Sequence, residues 1–423
     1  MSAPAAPANR SWAASFRGAP GRATLALIAL RVLYAYNWFS IGPALPAIGA
    51  EFGVGSAAWG LLLAGFFVGA GLLQVPAGLL ARHWGTRRVS LLGAALLGGA
   101  AVAAGAAPNF DALWTLRFVT GAGAGLFFSP AISLVASLHP EGERGVPVGI
   151  FSSAYTVGAG LGIFVSALLL GPLGWRATMA VGGVAMLFVL AVTGWAIPSW
   201  AGAPSARPNA GRRGLPSALT SRAVWGIGLS FIGLEGASLS AGQYFVPYAE
   251  AIRHWAPALA GAVGALFVFP SFFGGPVGGR LAERFTNRRT QLVLLTALPS
   301  AALVAIPILG LVPVLLIAMM FSFCFGAVYA IMYILPPYLR EVRPDEQPLA
   351  IGLFNGIQLT GGALVASLAA VAVSTWGYPQ LWWILGGSAI LTLVALPLVP
   401  ATGGLAHPPV PSGGPGGPSG EPP

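Results

Sequence analysis

Along the chain, apolar residues neither recur on one helical face nor alternate. They run together and are broken by short polar stretches. A hydrocarbon core about 30 Å thick takes about 20 residues of α-helix at 1.5 Å rise each. Twelve runs meet or nearly meet that length: 23–49, 56–80, 89–107, 112–137, 146–170, 177–198, 223–249, 258–279, 290–309, 312–337, 348–375 and 379–400. They are apolar all round, the pattern of buried or lipid-facing helices. A transmembrane barrel shows alternating segments of about ten residues instead, and none occurs here. The pattern predicts an all-α, polytopic membrane protein of twelve transmembrane helices. The first run is too long for the core of a cleaved signal peptide and leads to Glu51 instead of a cleavage site, so it is expected to be a retained span.

Charge sets the orientation. Loops on the N-terminal side hold Arg10, Arg17, Arg22, Arg82, Arg87, Arg88, Arg144, Arg207, Arg212, Arg213, Arg222, Arg280, Arg284, Arg288, Arg289, Arg340 and Arg343, whereas the opposite loops hold only Arg176 and Arg253. This positive-inside bias predicts a multi-pass protein of the cytoplasmic membrane with both termini in the cytoplasm. Trp59, Trp84, Trp175, Trp225 and Trp255, near span ends, suit the interfacial aromatic belt, with simple packing as the alternative for any one of them.

Composition excludes several classes. The chain is 56% hydrophobic and 8% charged, against about 25% charged in an average soluble domain, and a soluble fold could not cover that much apolar surface. The net charge of +10 is split among small, widely separated clusters instead of one stripe, so nucleic acid is not an expected partner. Every basic residue is arginine, which removes Schiff-base and Ser/Lys chemistry. Cys324 is the single cysteine, leaving no disulfide or thiolate cluster within the chain. No HExxH, GxSxG or P-loop motif occurs. The chain is therefore expected to be no enzyme and to use no cofactor, metal or direct ATP coupling.

Residues 199–222 form the longest polar interruption and separate six runs from six. The expected organisation is a cytoplasmic tail over 1–20, a six-helix half over 21–198, a cytoplasmic linker over 199–222, a second six-helix half over 223–400 and a tail over 401–423. The Ala-, Pro- and Gly-rich tails read as disordered. The halves share residues. GLLARHWGTRR at 78–88 aligns with GRLAERFTNRR at 279–289, and ERGVPVGIF from Glu143 lies opposite EQPLAIGLF from Glu346, at offsets of 201 and 203. Internal repeats around a central cavity mark secondary transporters, in which one half rocks against the other.

These motifs resemble those of the major facilitator superfamily, across residues 23–400. Between spans two and three that family reads roughly G-x-L-a-D-r-x-G-r-k; Gly78, Leu80, Ala81, Gly85, Arg87 and neighbouring Arg88 match, while Arg82 fills the acidic position. The resemblance implies a gating latch in which that acid works partly against a helix N-terminus, a role a positive charge cannot take. Glu283 keeps an acid at the equivalent place in the second half, ahead of Arg288 and Arg289, and the alternative for Arg82 is reinforcement of topology. LWTLRFVTGAGAG is similar to the family's span-four pattern through Leu113, Arg117, Gly121 and Gly123. This implies that Arg117, which keeps its proton, influences proton coupling as a fixed charge; a structural partner for backbone carbonyls is the alternative. Gly149, Gly158 and Gly162 have the spacing of the family's antiporter signature, but Gly162-Ile163 and Ser166-Ala167 stand where that signature has Gly-Pro and Gly-Gly. Small residues at this spacing also serve close helix packing.

Only Arg31, Arg117 and Glu235 are ionisable within the spans. Each costs roughly 2.5–3.5 kcal/mol at a helix centre, so each is expected to face protein or water and to have a use. Glu235 lies 13 residues beyond Arg222, about 20 Å along the helix and near the midplane. It is the candidate proton carrier, with a permanently protonated, hydrogen-bonded carboxyl as the alternative. Arg31 lies about 13 Å in from Arg22 by helical rise and either binds an anion or snorkels to the interface. Asn37 stands where some drug-exporting relatives carry an acid ahead of Ala44-Leu45-Pro46. In family folds spans one, four, seven and ten, with five, eight and eleven, line the cavity. The resemblance thereby adds Tyr36, Asn37, Tyr155, Gln243, Tyr329, Tyr333, Asn355 and Gln358 to Arg31 as substrate-contacting candidates. Aromatic walls with a few amides suit a small amphipathic or weakly polar ligand. The expected function is secondary active transport of a small organic solute by alternating access, coupled to protons, by a monomer in membrane lipid. Anion uptake, drug or metabolite efflux, and a transport-inactive receptor or assembly role stay open, since fold alone does not decide function.

Overall fold

The computed structural model describes residues 16–140, 144–202, 217–284, 287–335, 339, 341–343 and 347–399, and helix is the only regular structure among them. Most of the tails and linker, together with Glu143 and Glu346, lies outside the described residues. The first half comprises α1 (Gly18–Phe39), α2 (Leu45–Phe52), α3 (Ser56–Trp84), α4 (Thr86–Ala104), α5 (Phe110–Ser137) and α6 (Gly145–Ala196). The second comprises α7 (Ser217–Thr220), α8 (Arg222–Ser230), α9 (Ile232–Arg253), α10 (Pro257–Leu266), α11 (Ser271–Arg284), α12 (Arg288–Leu303), α13 (Leu311–Ile334), α14 (Gln347–Trp376) and α15 (Tyr378–Leu391), which a 3-10 turn continues over Thr392–Leu398.

Ten helical segments among the described residues are long and apolar enough to cross a membrane. One of them holds two crossings, because Gly174 inside α6 has φ 70°, a left-handed conformation that breaks the helix and that glycine adopts freely. The helix α1 adds the twelfth crossing: its 22 residues span about 33 Å, although Arg22 and Arg31 dilute its apolar character. Several expected spans are bent. The run 23–49 breaks after Phe39, ahead of Pro43 and Pro46, which lack the N–H a helix interior needs. The run 258–279 breaks over 267–270, ending at Pro270. The run 223–249 breaks at Phe231 (φ −116°, ψ 6°), where no glycine or proline stands. There the cause is tertiary: a Cβ on Gly233 would meet Ser388 O of α15 at 2.0 Å, and Gly233 N donates to Thr392 Oγ1 at 3.2 Å.

Arginines hold the ends of the helices. The last carbonyls of a helix have no intrahelical donor and carry its negative dipole end, and a guanidinium can serve two of them at once. Arg117 donates to Asn37 O (3.0 Å) and Trp38 O (3.1 Å) at the end of α1. Arg176 donates to Gly105 O and Ala107 O beyond α4, and Arg253 to Ile306 O and Pro307 O beyond α12. Arg87 donates to Gly194 O near the end of α6 at 2.9 Å, and Arg289 to Pro397 O at 2.8 Å and Val399 O at the end of the twelfth crossing. Arg87 and Arg289 are each the second residue of their helix and each tie it to the last crossing of its own half. The sequence repeat at offset 201 instead pairs Arg87 with Arg288. One residue separates α3 from α4 whereas three separate α11 from α12, and this shifts the structural correspondence.

Of the five tryptophans read as belt residues, Trp59 and Trp175 are packed inside, 8% and 4% exposed, whereas Trp84 and Trp225 are open at 48% and 43%. Trp175 Nε1 donates to Glu51 Oε2 at 2.6 Å, and Arg176 donates to Glu51 Oε1 through Nη2 (2.6 Å) and Nε (2.9 Å). The bonds from Arg176 and then Trp175 hold the Glu51 carboxyl below its ordinary range. A depressed carboxyl stabilises the fold above its unfolded value, and that contribution is lost as pH falls through the folded value. The group is solvent-exposed, so the effect is small. Glu51→Gln is expected to lower the melting temperature slightly at neutral pH and not at all in strong acid; thermal unfolding at both pH values checks this, and an equal drop at both would refute it.

The halves meet along two seams, α3 against α14 and α6 against α10. Small residues let the backbones come close: a Cβ on Gly71 would lie 2.4 Å from Thr360 Oγ1, and one on Gly261 would lie 2.7 Å from Ala167 Cβ. Near α2, Gly42 packs on Gln243 of α9, where a Cβ would lie 2.6 Å from Gln243 Cα.

Candidate functional site

A cavity of about 360 Å³ lies between the halves, within the usual size range of small-molecule sites. From the first half, Arg31, Tyr34, Trp38, Gln74, Phe128, Ser152, Ser153, Tyr155 and Thr156 face it; from the second, Glu235, Ser271, Phe325, Tyr329, Tyr333 and Asn355. Further lining residues, Ile132 near the end of α5, Val148 near the start of α6 and Gly275 on α11, place it toward the side on which α1 begins. Gly42 and Gln243 close the opposite side.

The arginine and the carboxyl of the cavity come from opposite halves. The Arg31 guanidinium lies 4.3 Å from the ring centres of Tyr34 and Phe128, 4.8 Å from Tyr155 and 5.8 Å from Phe151, held among aromatic faces by cation–π attraction. Its side chain is 6% exposed, and Nε and Nη1 meet no acceptor among the described residues. Glu235 sits in the first turn of α9, directly after the break at Phe231, so the bend that packs α9 on α15 also delivers the carboxyl to the cavity. It is 5% exposed, and among the described residues no hydrogen bond or ion pair engages its carboxyl, Arg31 included. The polar wall beside it is a triad: Tyr329 and Tyr333 share a hydroxyl hydrogen bond of 2.8 Å, and each reaches Asn355 Oδ1, at 3.4 and 3.0 Å.

The fold thus gathers Arg31, Tyr155, Glu235, Tyr329, Tyr333 and Asn355 in one place. It turns five other candidates away from the cavity. Asn37 Nδ2 donates to Leu33 O (2.8 Å) and Gly182 O (3.0 Å), and Tyr36 packs beside the same Gly182. Gln243 Nε2 donates to Leu239 O at 2.7 Å, and Gln358 is fully buried with neither amide atom partnered among the described residues. Arg117 holds the end of α1 and lies 4.9 Å from the Phe66 ring. Tyr34, Trp38 and Gln74 were not read from the sequence. For the first two a signal existed, since positions 34 and 38 share a helical face with Arg31; Gln74 offered none.

Of the latch and signature residues, Gly85 has φ 83° and caps both α3 and α4, Arg87 holds Gly194, Arg88 is exposed, and Arg289 mirrors Arg87. A Cβ on Gly78 or Gly149 would meet nothing within 4 Å, whereas one on Gly158 would lie 2.0 Å from Val32 O and one on Gly162 2.7 Å from Tyr36 O. The side chains of Arg82, Glu283 and Arg288 lie outside the described residues.

Comparison with known proteins bears on the whole chain. The family model of the Major Facilitator Superfamily matches residues 27–340 and again 245–419. A 4-hydroxybenzoate transporter of Pseudomonas putida is 31% identical over 154 residues, 36% of this chain and 34% of the relative. A gallate transporter of the same species is 27% identical over 50% of this chain and 44% of its own length. The chain thus spans between a third and a half of the length of these two relatives. A probable 4-methylmuconolactone transporter of Cupriavidus pinatubonensis is 27% identical over 71% of this chain and 72% of its own. Among solved structures, a D-xylose–proton symporter superposes with a TM-score of 0.70 at 17% identity, covering 91% of this chain and 99% of that one. A bacterial homologue of the human lysosomal transporter Spinster, inward-facing and occupied, gives 0.67 at 18% identity over 89% and 94%. With twelve crossings in two six-helix halves and a family match over most of its length, the chain belongs to the Major Facilitator Superfamily.

Proposed function

We propose that the protein is a secondary transporter that carries a small organic solute across the cytoplasmic membrane by alternating access, driven by protons. The observation that carries this reading is the arginine and the carboxyl, Arg31 and Glu235, which opposite halves contribute to one cavity and which no ion pair joins among the described residues. An ionisable group at membrane depth is costly unless it is paired or used. Two that share a cavity and stay apart are available to a solute and a proton. With the arginine-rich loops in the cytoplasm, both termini lie inside and the cavity opens inward. Rocking of residues 21–198 against 223–400 about the small-residue seams would open the Gly42–Gln243 side in turn. The names of the relatives, transporters of 4-hydroxybenzoate, gallate and 4-methylmuconolactone, support an organic solute. Arg31 in the cavity favours an anionic solute. Gly158 and Gly162 are engaged in packing on α1 and lend the antiporter reading no support. In this reading the protein works as a monomer among lipids, without cofactor, and is no enzyme.

The test is a flux comparison in proteoliposomes under an imposed pH gradient, over a panel of organic solutes. Wild type is expected to accumulate its solute against a concentration gradient. Glu235→Gln is expected to retain solute exchange at equal pH and to lose accumulation. Equal gradient-driven accumulation by both would remove Glu235 as the proton carrier.

A further inference from the structure

We infer that the ligand of this cavity is a singly charged, hydroxylated aromatic carboxylate, held with its carboxylate on Arg31 and its hydroxyl at the Tyr329–Tyr333–Asn355 triad, and bound together with one proton on Glu235. The carriage of that ligand across the membrane rests on the transport reading; its binding does not.

The first half supplies the anion site. Tyr34, Phe128 and Tyr155 stand 4.3, 4.3 and 4.8 Å from the Arg31 guanidinium carbon and cover it with rings. Among the described residues its Nε and Nη1 hydrogens remain without an acceptor, in a side chain more than nine-tenths buried that lines the cavity. Buried donors of this kind are expensive to leave unmet. Nε and Nη1 lie on different edges of the guanidinium, each shared with Nη2, and either edge matches the two oxygens of a carboxylate, a planar and bidentate fit. Gln74 Nε2, also buried, unpartnered and lining the cavity, adds a second donor on the same half. The walls between the two polar ends are rings, Trp38, Phe325 and Tyr329 among them, and a flat ligand stacks on these better than a puckered one.

The second half supplies the other end. Asn355 Oδ1 accepts from one of the two tyrosine hydroxyls, Tyr333 being the nearer at 3.0 Å, while the other hydroxyl hydrogen joins the tyrosines; among the described residues Asn355 Nδ2 makes no hydrogen bond and is left to donate to a hydroxyl oxygen. A ligand with a carboxylate at one end and a hydroxyl at the other thus bridges the halves, and a volume of about 360 Å³ leaves room for one substituted ring.

Charge balance then links the ligand to the proton. With Arg31 and Glu235 both ionised the cavity sums to zero, and an entering anion leaves it at one negative charge in a poorly solvated place, where Coulomb energies are large. A proton on Glu235 restores neutrality, so each raises the affinity for the other by the same factor. The titratable groups that face Glu235 are Arg31 and Tyr34 on α1, Tyr155 on α6, and Tyr329 and Tyr333 on α13. The adjoining α10 and α14 carry no titratable side chain, and Tyr378 of α15 packs instead on Tyr248. Glu235 is the one carboxyl that lines the cavity, and the proton is assigned to it.

The experiment is calorimetric titration of the purified full chain in detergent with 4-hydroxybenzoate, benzoate, cyclohexanecarboxylate, uncharged 4-hydroxybenzyl alcohol and nitrate, at two pH values. The expected order puts 4-hydroxybenzoate first and benzoate second. The alcohol, which lacks the charge, is expected to be weaker by about tenfold or more, the equivalent of one charge-assisted hydrogen bond, and nitrate, which fits the fork but brings no ring or hydroxyl, is expected to be weaker as well. Arg31→Gln is expected to lose about tenfold or more in carboxylate affinity while eluting and melting as a folded protein. Asn355→Ala is expected to bind both benzoates equally. Wild-type affinity is expected to rise as pH falls, and that of Glu235→Gln to stay level. Equal binding of alcohol and carboxylate, of ring and cyclohexane, or of wild type and Arg31→Gln overturns the assignment. If Arg31→Gln does not fold, the ligand series on wild type and Asn355→Ala decides. Binding without uphill flux in proteoliposomes keeps the ligand assignment and defeats the transport reading; uphill flux of a non-aromatic solute, with no benzoate bound, does the reverse.

Discussion

Gly158→Val is expected to yield no folded protein in the membrane, and Gly158→Ala to lower the melting temperature measurably. At this position α6 crosses α1 so closely that an added Cβ would lie 2.0 Å from Val32 O, 2.7 Å from Val32 C and 2.9 Å from Val32 Cα. These are backbone atoms, and no side-chain rotation relieves them. The helices must part, and overpacking of this kind costs about 1–3 kcal/mol or more even for small additions. Parting α6 from α1 also disturbs the Arg31 cage, which Tyr155 of α6 helps to build. Gly149 is the control, nine residues earlier on the same helix, where a Cβ would meet nothing within 4 Å. Gly149→Ala is expected to be neutral or slightly stabilising, because alanine is the better helix former by about 1 kcal/mol. Expression, monodispersity and thermal unfolding in detergent check both. A Gly158→Val protein that melts like wild type would show that α1 and α6 do not pack as described.

Arg117→Leu should be the second severe change. Arg117 is 2% exposed and donates to two carbonyls at the end of α1, just before the chain turns into α2. Within the bilayer no water replaces a lost donor. Trp38 O loses its side-chain donor and Asn37 O keeps only the long bond from Ser40 Oγ at 3.5 Å; a carbonyl left unsatisfied costs about 1–3 kcal/mol, a large share of the roughly 5–15 kcal/mol that holds a folded protein together. Leucine fills part of the space but returns neither bond. Arg117→Lys should recover only part of the loss, because an ammonium is a point charge that cannot fork to two acceptors. The measurements are melting temperature and hydrogen exchange over residues 36–44. Protection there equal to that of wild type in Arg117→Leu would contradict the capping role.

Resemblance to family patterns suggests why Arg117 is present and leaves its task open; the distances to Asn37 O and Trp38 O supply the task. Arg31 is the opposite case. Its depth along α1 leaves it equally able to reach the interface or the cavity, and the rings of Tyr34, Phe128 and Tyr155 hold it at the cavity. Asn37 and Gln358 show the limit from the other side. Both are polar residues on helices that line family cavities, yet the rotation of α1 turns Asn37 to Gly182 and that of α14 leaves Gln358 in the packing. A run that is apolar all round carries no stripe to say which face looks inward. Tyr34 and Trp38 escaped notice for the same reason, although both follow Arg31 at helical spacing.

By itself the sequence determined the number of crossings, the duplication and the side rich in arginine, because the length of an apolar run and the charge of a loop are local properties that a bilayer reads directly. Only the tertiary structure decided where helices break without proline or glycine, as at Phe231, which arginines cap helices, and which polar side chains share the cavity. Those outcomes depend on the rotation and close approach of helices distant in the chain, and they follow from backbone contacts such as Gly233 on Ser388 and Gly158 on Val32.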